Sequence, residues 1–553
     1  MIRKIVALLS LIALTGCATL PTEFNIQQGP EIAPETQQEF AFYTPSGPSP
    51  NATAQEIVSG FLGAGTSPLN DYGVAREFLS EDFAQRWNPN NQTIIRAGAP
   101  VFRQAGQTLM VVEVNSGARV DEQGRYIDSE AGDATSLRFQ LIEQDGQLRI
   151  SSAPNLTVVT PPVFSVVFNA FPLYFVDSNS QTLVPDLRWF PSRTSTATRL
   201  VNALLDGPSS WLAPGVKSAI PEGTQLTINA VRTLEGVAQV DFDADALAAG
   251  TQDRRIMLGQ LKSTLSQIAG ITDVALSVNG SIQEILTGAL EPTATVSPIF
   301  VLTDNGIGPL NSTGAAGIPG TAALVSSYEP TLIALTEDGE RVAFATSAGV
   351  FEIRPQTFST QIVQLNSVSE VAALEYDSFG SLWVFPSDAA YAVEVYDRST
   401  VIRKFASEST GVRLAATISA EGVRIAQAIQ APDSEPRIDI GIVTRDSNFI
   451  PLKVNPGLSV TPVLGVPVSL AWQGPANLRV LESTASGLTA FSEYPVTGPR
   501  IQLAMPPVVG TRIQGAVSTS STYMLTRFDE LWLFTGGSWR RLATGVAAIT
   551  AIR

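Results

Sequence analysis

Asp241, Asp243 and Asp245 place three carboxylates at alternate positions of a short acidic segment, a pattern that could ligate calcium through oxygen. An EF-hand loop, however, needs a glycine at its sixth position and a glutamate at its twelfth. Counted from Asp241, those positions hold Ala246 and Gln252. The segment is therefore predicted to be a strand end followed by polar loop residues, and no metal site is expected.

Most enzyme chemistries are disfavoured by the composition. The 553 residues include no histidine and one cysteine, which removes the usual general base at neutral pH, the commonest metal ligand and any intrachain disulfide. Gly306 and Gly308 begin like a dinucleotide fingerprint, but Asn311 stands where the third glycine should be. A carboxylate pair of the glycosidase kind stays open, because acidic residues are scattered along the whole chain. The sequence favours a non-enzymatic protein without a cofactor.

Charge and aromatic residues narrow the classes of ligand. Lys and Arg number 35 against 51 Asp and Glu, a net charge of −16, and such a field repels polyphosphates, so no nucleic-acid partner is expected. Several tryptophans could stack on sugars, although aromatic residues in strands more often pack in a core. These are Trp189, Trp211, Trp383, Trp472, Trp532 and Trp539.

The first residues indicate export and lipid attachment. Arg3 and Lys4 precede an apolar run over residues 5–14, which is typical of a signal peptide over residues 1–16 and is shorter than the roughly 20 residues of a spanning helix. The run ends in Leu-Thr-Gly before Cys17, which resembles the bacterial lipobox. The resemblance implies S-diacylglycerol and an N-acyl chain on Cys17; the alternative is a chance cysteine in an ordinary signal peptide. We therefore expect anchoring to the extracytoplasmic face of the cell membrane.

Two regions follow the signal peptide. Residues 17–52 are rich in proline, glutamine and threonine without sustained periodicity, which predicts a lipid-anchored tether. Residues 53–165 begin with helical spacing at Ile57, Val58 and Phe61 and continue with alternating strands joined by a hairpin signal at Asp145-Gly146. Helices before an antiparallel sheet predict an α+β domain, and the order is compatible with an NTF2-like fold.

A second α+β domain is predicted over residues 166–285. An amphipathic helix ends at Asp206-Gly207-Pro208, and a second helix precedes an alternating strand that is closed by Asn279-Gly280. The ordered motifs resemble the GerMN domain, a module of bacterial envelope and spore proteins thought to bind and not to catalyse. They are Leu204-Leu205-Asp206-Gly207-Pro208, Ser218-Ala219-Ile220-Pro221-Glu222-Gly223-Thr224, Val240-Asp241-Phe242 and Leu276-Ser277-Val278-Asn279-Gly280.

The rest of the chain reads as a linker over residues 286–308 and a β-propeller over residues 309–553. Turn signals centred near residues 338, 379, 421 and 473 are each followed by a short apolar strand. The first two intervals match one four-stranded blade. The length suits five to seven blades, and the alternative is a pair of β-sandwiches.

The order of these parts resembles the actinobacterial lipoprotein LpqB family across essentially the whole chain. The stretch Ile57-Val58-Ser59-Gly60-Phe61-Leu62, with Tyr72, Ala75-Arg76-Glu77-Phe78-Leu79 and Trp87, is also similar to that family's N-terminal region. The resemblance implies binding to the extracytoplasmic domain of the sensor kinase MtrB of the MtrAB two-component system, and an influence on cell-envelope homeostasis and division. The alternative is an envelope protein that binds or cleaves a cell-wall polysaccharide.

Overall fold

The computed structural model describes residues 45–552 as part of one compact unit that begins at Pro45. Internal segments that are not described are 131, 194, 286–287, 294–297, 311–317, 319–320, 323–326, 337, 356–359, 398–399, 407–410, 461–463 and 516–520. The predicted signal peptide, Cys17 and most of the predicted tether lie outside the described residues.

Three helices open the first domain, which we define as residues 45–160. Thr53 caps the first helix in a reciprocal capping box with Glu56, and Ile57, Val58 and Phe61 are buried on one face, as the helical spacing predicts. The second helix is a single turn. The helices are Ala54–Ala64, Gly73–Arg76 and Glu81–Arg86.

A seven-stranded sheet completes the first domain and confirms the predicted helix-led α+β class. The path runs through the sixth, fifth, third, first and seventh strands, and only the first and seventh are parallel. Asp145 and Gly146 both have positive φ and form the predicted hairpin turn. The strands are Gln92–Arg96, Val101–Gln104, Leu109–Asp121, Tyr126–Asp128, Ala134–Gln144, Gln147–Ser152 and Thr157–Val159.

The second domain, residues 161–293, has two small sheets and two main helices. Alternation and helical periodicity predicted its main elements, because each has one strongly buried face. Val237–Phe242 and Asp273–Val278 pair in parallel, and the longest helix lies between them in the chain. The helices are Pro161–Val167, Thr196–Leu205, Thr251–Leu265 and the 3₁₀-helix Ala244–Ala248; the strands are Phe168–Asp177, Leu183–Pro191, Val216–Lys217, Arg232–Leu234, Val237–Phe242, Asp273–Val278 and Ser281–Ile282.

The C-terminal region is a β-propeller, as predicted, with six blades within the described residues. The innermost strand of each blade contacts the innermost strand of the next, and the ring closes. Blades 1 to 5 are four-stranded: Leu332–Leu335, Val342–Thr346, Gly349–Pro355, Thr360–Asn366; Val371–Tyr376, Leu382–Pro386, Val393–Asp397, Thr400–Phe405; Val412–Ile418, Arg424–Gln430, Arg437–Arg445, Pro451–Val460; Val466–Gln473, Asn477–Ser483, Thr489–Pro495, Ile501–Gln502; Gly510–Gly515, Thr522–Thr526, Glu530–Thr535, Ser538–Thr544.

Blade 6 joins the two ends of the propeller and corrects one predicted boundary. The strand Ala548–Ala551 pairs with Ile299–Thr303, which pairs in turn with Gly306–Pro309. Residues 299–308, assigned to the linker from the sequence, therefore belong to the propeller. The hairpin has a local signal at Asn305-Gly306. Its place in the propeller depends on Ala548–Ala551, near the C-terminus, and no local pattern indicates that pairing. The predicted turns near residues 338, 379, 421 and 473 each join the first and second strands of a blade.

The second domain and the propeller share one hydrophobic core. Val423 and Ile442 of blade 3 belong to the same buried cluster as the second domain's helices. Gly215 lies so close to blade 3 that an added Cβ would stand 2.4 Å from Ile442. The two parts are therefore packed as a single body.

Candidate functional site

A cleft of about 860 Å³ lies between the first and second domains. This volume falls within the range of small-molecule sites. Amide and hydroxyl side chains dominate its lining, which is formed by Asn88, Asn90, Glu122, Gln123, Ser195, Thr198, Arg199, Asn202, Ala203, Leu205, Asp206, Gly223, Thr224, Gln225, Leu226 and Asn229. The first four belong to the first domain and the others to the second, so the cleft exists only where the two domains meet.

Among the described residues that line the cleft, Arg199 alone has a cationic side chain. It lies on the helix Thr196–Leu205, and its Cζ atom lies 4.6 Å from the centroid of the Phe190 ring. Its Nη1 atom is buried and has no hydrogen-bond partner among the described residues. Burial, with a smaller contribution from the like charge of Arg193, lowers the pKa of Arg199 to about 10. The group is still a cation at neutral pH, but it is poorly solvated.

Thr224 supplies a second unsatisfied group. The residue is only 5 % exposed, and within the part of the chain that the structure describes its Oγ1 has no hydrogen-bond partner. It is the last residue of the motif Ser218–Thr224 on which the GerMN resemblance partly rests. Buried hydroxyls are normally hydrogen-bonded, because a lost partner costs about 1–3 kcal/mol.

A buried ion pair holds the two walls of the cleft together. Nη2 of Arg188 lies 2.7 Å from Oδ2 of Asp186, and both side chains are fully buried. The same guanidinium donates to the carbonyl of Gln123 at 3.1 Å and to the carbonyl of Gly207 at 3.2 Å. Asp186 also accepts from Ser209 Oγ at 2.9 Å. Arg188 thus ties a loop of the first domain to the turn that ends the cleft helix.

The Phe190 ring, which packs against Arg199, lies very close to the backbone of Gly124. This glycine has φ +78°, and an added Cβ would stand 2.6 Å from Cζ of Phe190. Its carbonyl accepts from the backbone N–H of Trp189 at 2.7 Å. Gly124 thus leaves room for the Phe190 ring, and the ring packs against the Arg199 guanidinium and fixes its position.

The arrangement suits recognition of a polar ligand. Glu122 and Asp206 are exposed at the rim, where water solvates their charges. Inside, Asn202 donates to Asn229 at 2.9 Å, and Thr198 accepts from the backbone of Val231 at 2.9 Å. These bonds fix the positions of two walls and leave Arg199 Nη1 and Thr224 Oγ1 unpaired.

The acidic segment examined for calcium lies elsewhere in the second domain, and its oxygens are engaged in the fold. Oδ1 of Asp241 accepts from Ser277 Oγ at 2.7 Å and from the Gly280 N–H at 2.8 Å. Burial opposes ionisation, but these hydrogen bonds prevail and lower the pKa of Asp241. Asp243 caps the 3₁₀-helix. Within the described ranges no group of three acidic or cysteine side chains is placed to hold a metal ion.

Three of the six tryptophans that could stack on sugars are buried inside the protein. Trp383 is fully buried, and its Nε1 donates to Asp377 at 2.7 Å. Trp189 and Trp472 are also buried, whereas Trp211, Trp532 and Trp539 are partly exposed. None of the six lines the cleft.

The predicted lipidation site, Cys17, lies outside the described residues and stays a prediction. Among the residues that are described, no helix combines the length and the apolar character needed to cross a bilayer.

Sequence reasoning missed Arg199 and the role of Thr224. Arg199 lies off the apolar stripe of its helix, where an arginine ordinarily faces solvent. Arg199 is buried because the first domain packs beside it, and the sequence of one helix does not indicate such a contact. Thr224 lies within a motif singled out in the sequence, and that motif was the one signal that pointed toward the cleft.

Comparison with known families accounts for the two N-terminal domains. Residues 47–165 match the family described as "Lipoprotein LpqB, N-terminal domain", and residues 172–284 match the family described as "Sporulation and spore germination". Neither description names a catalytic activity. Fold and site together define a multidomain protein in which a helix-led α+β domain, a GerMN domain and a propeller form one body.

Full-length relatives carry the assignment further. "Lipoprotein LpqB" of Cutibacterium acnes is 24% identical over 99% of this chain and 98% of its own length. The protein of the same name from Thermobifida fusca is 27% identical over 69% of this chain and 66% of its own length. The chain is thus similar along essentially its whole length to a protein named lipoprotein LpqB, and its first domain matches that family's N-terminal model. The family name denotes a lipoprotein, which is anchored to a membrane through lipid.

A solved structure is also similar to part of the chain. The first GerMN domain of the sporulation protein GerM from Bacillus subtilis is 26% identical, covers 22% of this chain and 92% of its own length, and superposes with a TM-score of 0.19.

Proposed function

We propose that this protein is a non-enzymatic, lipid-anchored module on the extracytoplasmic face of the cell membrane. Its role is to bind the extracytoplasmic domain of an MtrB-like sensor kinase and to modulate the output of that kinase. Cell-envelope homeostasis and division would respond through the kinase. The choice of partner rests on the family resemblance, and the physical case rests on the rigidity of the folded part.

Rigid packing of the second domain on the propeller is the observation that supports a binding role. Nε1 of Trp189 donates to the carbonyl of Thr497 at 2.6 Å, and Thr497 Oγ1 donates to the carbonyl of Leu187 at 3.0 Å. A second contact lies at Asn179, whose side-chain amide donates to the carbonyl of Asp446 at 3.0 Å. A preorganised body loses little conformational entropy when it binds, so a modest interface is sufficient.

Membrane confinement strengthens such an interface. The part of the predicted tether that precedes the compact unit, residues 17–44, would span roughly 30 Å as a coil of 28 residues, because a coil extends about 5–6 Å × √n. The folded part would then reach the height of a kinase domain that stands on the same leaflet. Confinement of both partners raises their effective concentration, so a weak contact is enough.

Kinase output provides the test. Phosphorylation of the response regulator is measured in cells that carry the gene, in cells that lack it, and in cells that express only residues 1–44 fused to an unrelated folded domain. We expect the deletion to change phosphorylation and only the full chain to restore it. Equal phosphorylation in all three strains would remove the proposal.

A further inference from the structure

Two residues that line the cleft, on different elements, each carry a buried polar atom that lacks a hydrogen-bond partner among the described residues. Nη1 of Arg199 comes from the helix Thr196–Leu205, and Oγ1 of Thr224 comes from the loop that follows Val216–Lys217. A buried polar group without a partner destabilises the protein, and a charged one does so more strongly. A bound ligand that supplied an acceptor to both would relieve that destabilisation.

The charges of the cleft limit the ligand. Arg199 is the one cation among the described lining residues, whereas Glu122 and Asp206 are exposed at the rim. A phosphate group, which carries close to two negative charges, would pass two carboxylates to reach one guanidinium. A carboxylate carries one charge and matches the planar fork of arginine. The electrostatics therefore favour a single carboxylate over a phosphate.

The uncharged lining indicates the rest of the ligand. Amide side chains such as Asn88, Gln123 and Gln225 present donors and acceptors side by side. Sugar hydroxyls also donate and accept, so they pair with amides without a charge mismatch. We infer that the cleft binds a hydroxyl-rich sugar acid, whose carboxylate pairs with Arg199 and one of whose hydroxyls pairs with Thr224.

The site is preorganised. Phe190 supports the guanidinium from below at 4.6 Å, and the buried pair of Arg188 and Asp186 fixes the distance between the two walls. A ligand therefore binds without paying to order these side chains. The inference does not rest on the proposed kinase contact, because it uses residues of the cleft alone.

Calorimetry of the full chain, purified in detergent, tests the site. The probes are D-glucuronate, D-galacturonate and D-gluconate, with D-glucose as the neutral control and D-glucose 6-phosphate as the dianionic control. We expect at least one sugar acid to bind with one-to-one stoichiometry, and both controls to bind at least tenfold more weakly. A trisaccharide of the bound uronic acid separates a free metabolite from the end of a polymer, since only a polymer site gains affinity with length.

Two substitutions assign the binding to the two unpaired atoms. Arg199→Gln should weaken the sugar acid at least tenfold, while Arg232→Gln, which removes an exposed charge of the same domain, should leave it unchanged. Thr224→Val should weaken binding about threefold or more without lowering the unfolding temperature of the free protein, because its hydroxyl has no partner there. Absence of binding by all three acids, equal binding by Arg199→Gln, or a lower unfolding temperature for Thr224→Val would overturn the inference.

Discussion

Nη2 of Arg445 in blade 3 donates to Oδ2 of Asp377 in blade 2 at 2.8 Å, and both side chains are almost completely buried. The same carboxylate oxygen accepts from Nε1 of Trp383 at 2.7 Å. Similar arginine bridges join other blades. Arg341 donates to the carbonyl of Gly380 at 2.7 Å, and Arg424 donates to the carbonyl of Pro475 at 2.7 Å. The turns that repeat in the sequence are thus the points at which neighbouring blades are tied together.

Loss of the Asp377 carboxylate should weaken the propeller strongly. Asp377→Ala removes the acceptor of the Trp383 indole N–H and the counter-ion of the buried Arg445 guanidinium, which keeps only backbone carbonyls as acceptors. Removal of one partner from a buried ion pair costs about 3–5 kcal/mol in the free energy of unfolding. Denaturant unfolding measures the effect, with Asp304→Ala at an exposed turn of blade 6 as the control. Equal stability of the two variants would contradict this role of the pair.

Gly124→Ala should lower the free energy of unfolding by more than backbone strain alone would. Gly124 and Gly98 have nearly the same backbone, with φ +78° and +81°, but only Gly124 would bring an added Cβ against Phe190. In both alanine variants the left-handed conformation should lower the free energy of unfolding by about 1 kcal/mol or more. Gly124→Ala should lower it by about a further 1–3 kcal/mol, because the Phe190 ring must move. Chemical unfolding of both variants tests the difference, and equal losses would show that the Phe190 contact does not matter.

Local patterns predicted the elements of the fold but not how distant segments meet. The helix around Leu200 could be predicted because its apolar residues recur with helical spacing. The hairpin of Ile299–Thr303 and Gly306–Pro309 has a local turn signal, but its place in the propeller depends on Ala548–Ala551 at the far end of the chain, and the sequence predicted a linker there. The cleft was hidden for the same reason: Arg199 and Gln123 become neighbours only when two domains pack.

Stability of the second domain should depend on pH through Asp241. Its pKa is lowered in the fold, so its contribution is fully present above the unfolded value of about 3.9 and is lost as pH falls through the lower folded value. Asp241→Asn should therefore lower the unfolding temperature at pH 7, and the deficit should shrink as pH falls below about 4. Asp245→Asn matches the change in net charge. A deficit that stays constant down to pH 2 would refute the assignment.

Membrane attachment should require the predicted lipidation residue. Cys17→Ala removes the sulfur that would carry diacylglycerol, and two or more acyl chains are what makes an anchor stable. We expect the variant to leave the membrane fraction or to remain unprocessed, whereas Thr19→Ala should stay anchored. Fractionation followed by mass spectrometry of the N-terminal peptide decides the matter. A Cys17→Ala protein that still partitions with lipoproteins would show that the anchor lies elsewhere.

Crosslinking in intact cells tests the central claim, that the anchored body binds the sensor kinase, most directly. The full chain carries a photoreactive residue at exposed positions of the second domain and propeller, such as Ile228, Leu234 and Tyr391. Residues 1–44 fused to an unrelated domain control for shared confinement on the leaflet. We predict that at least one position on the full chain crosslinks to the extracytoplasmic domain of the MtrB-like kinase well above that control. Crosslinking no stronger than the control at every position tried, with unchanged phosphorylation of the response regulator, would contradict the account.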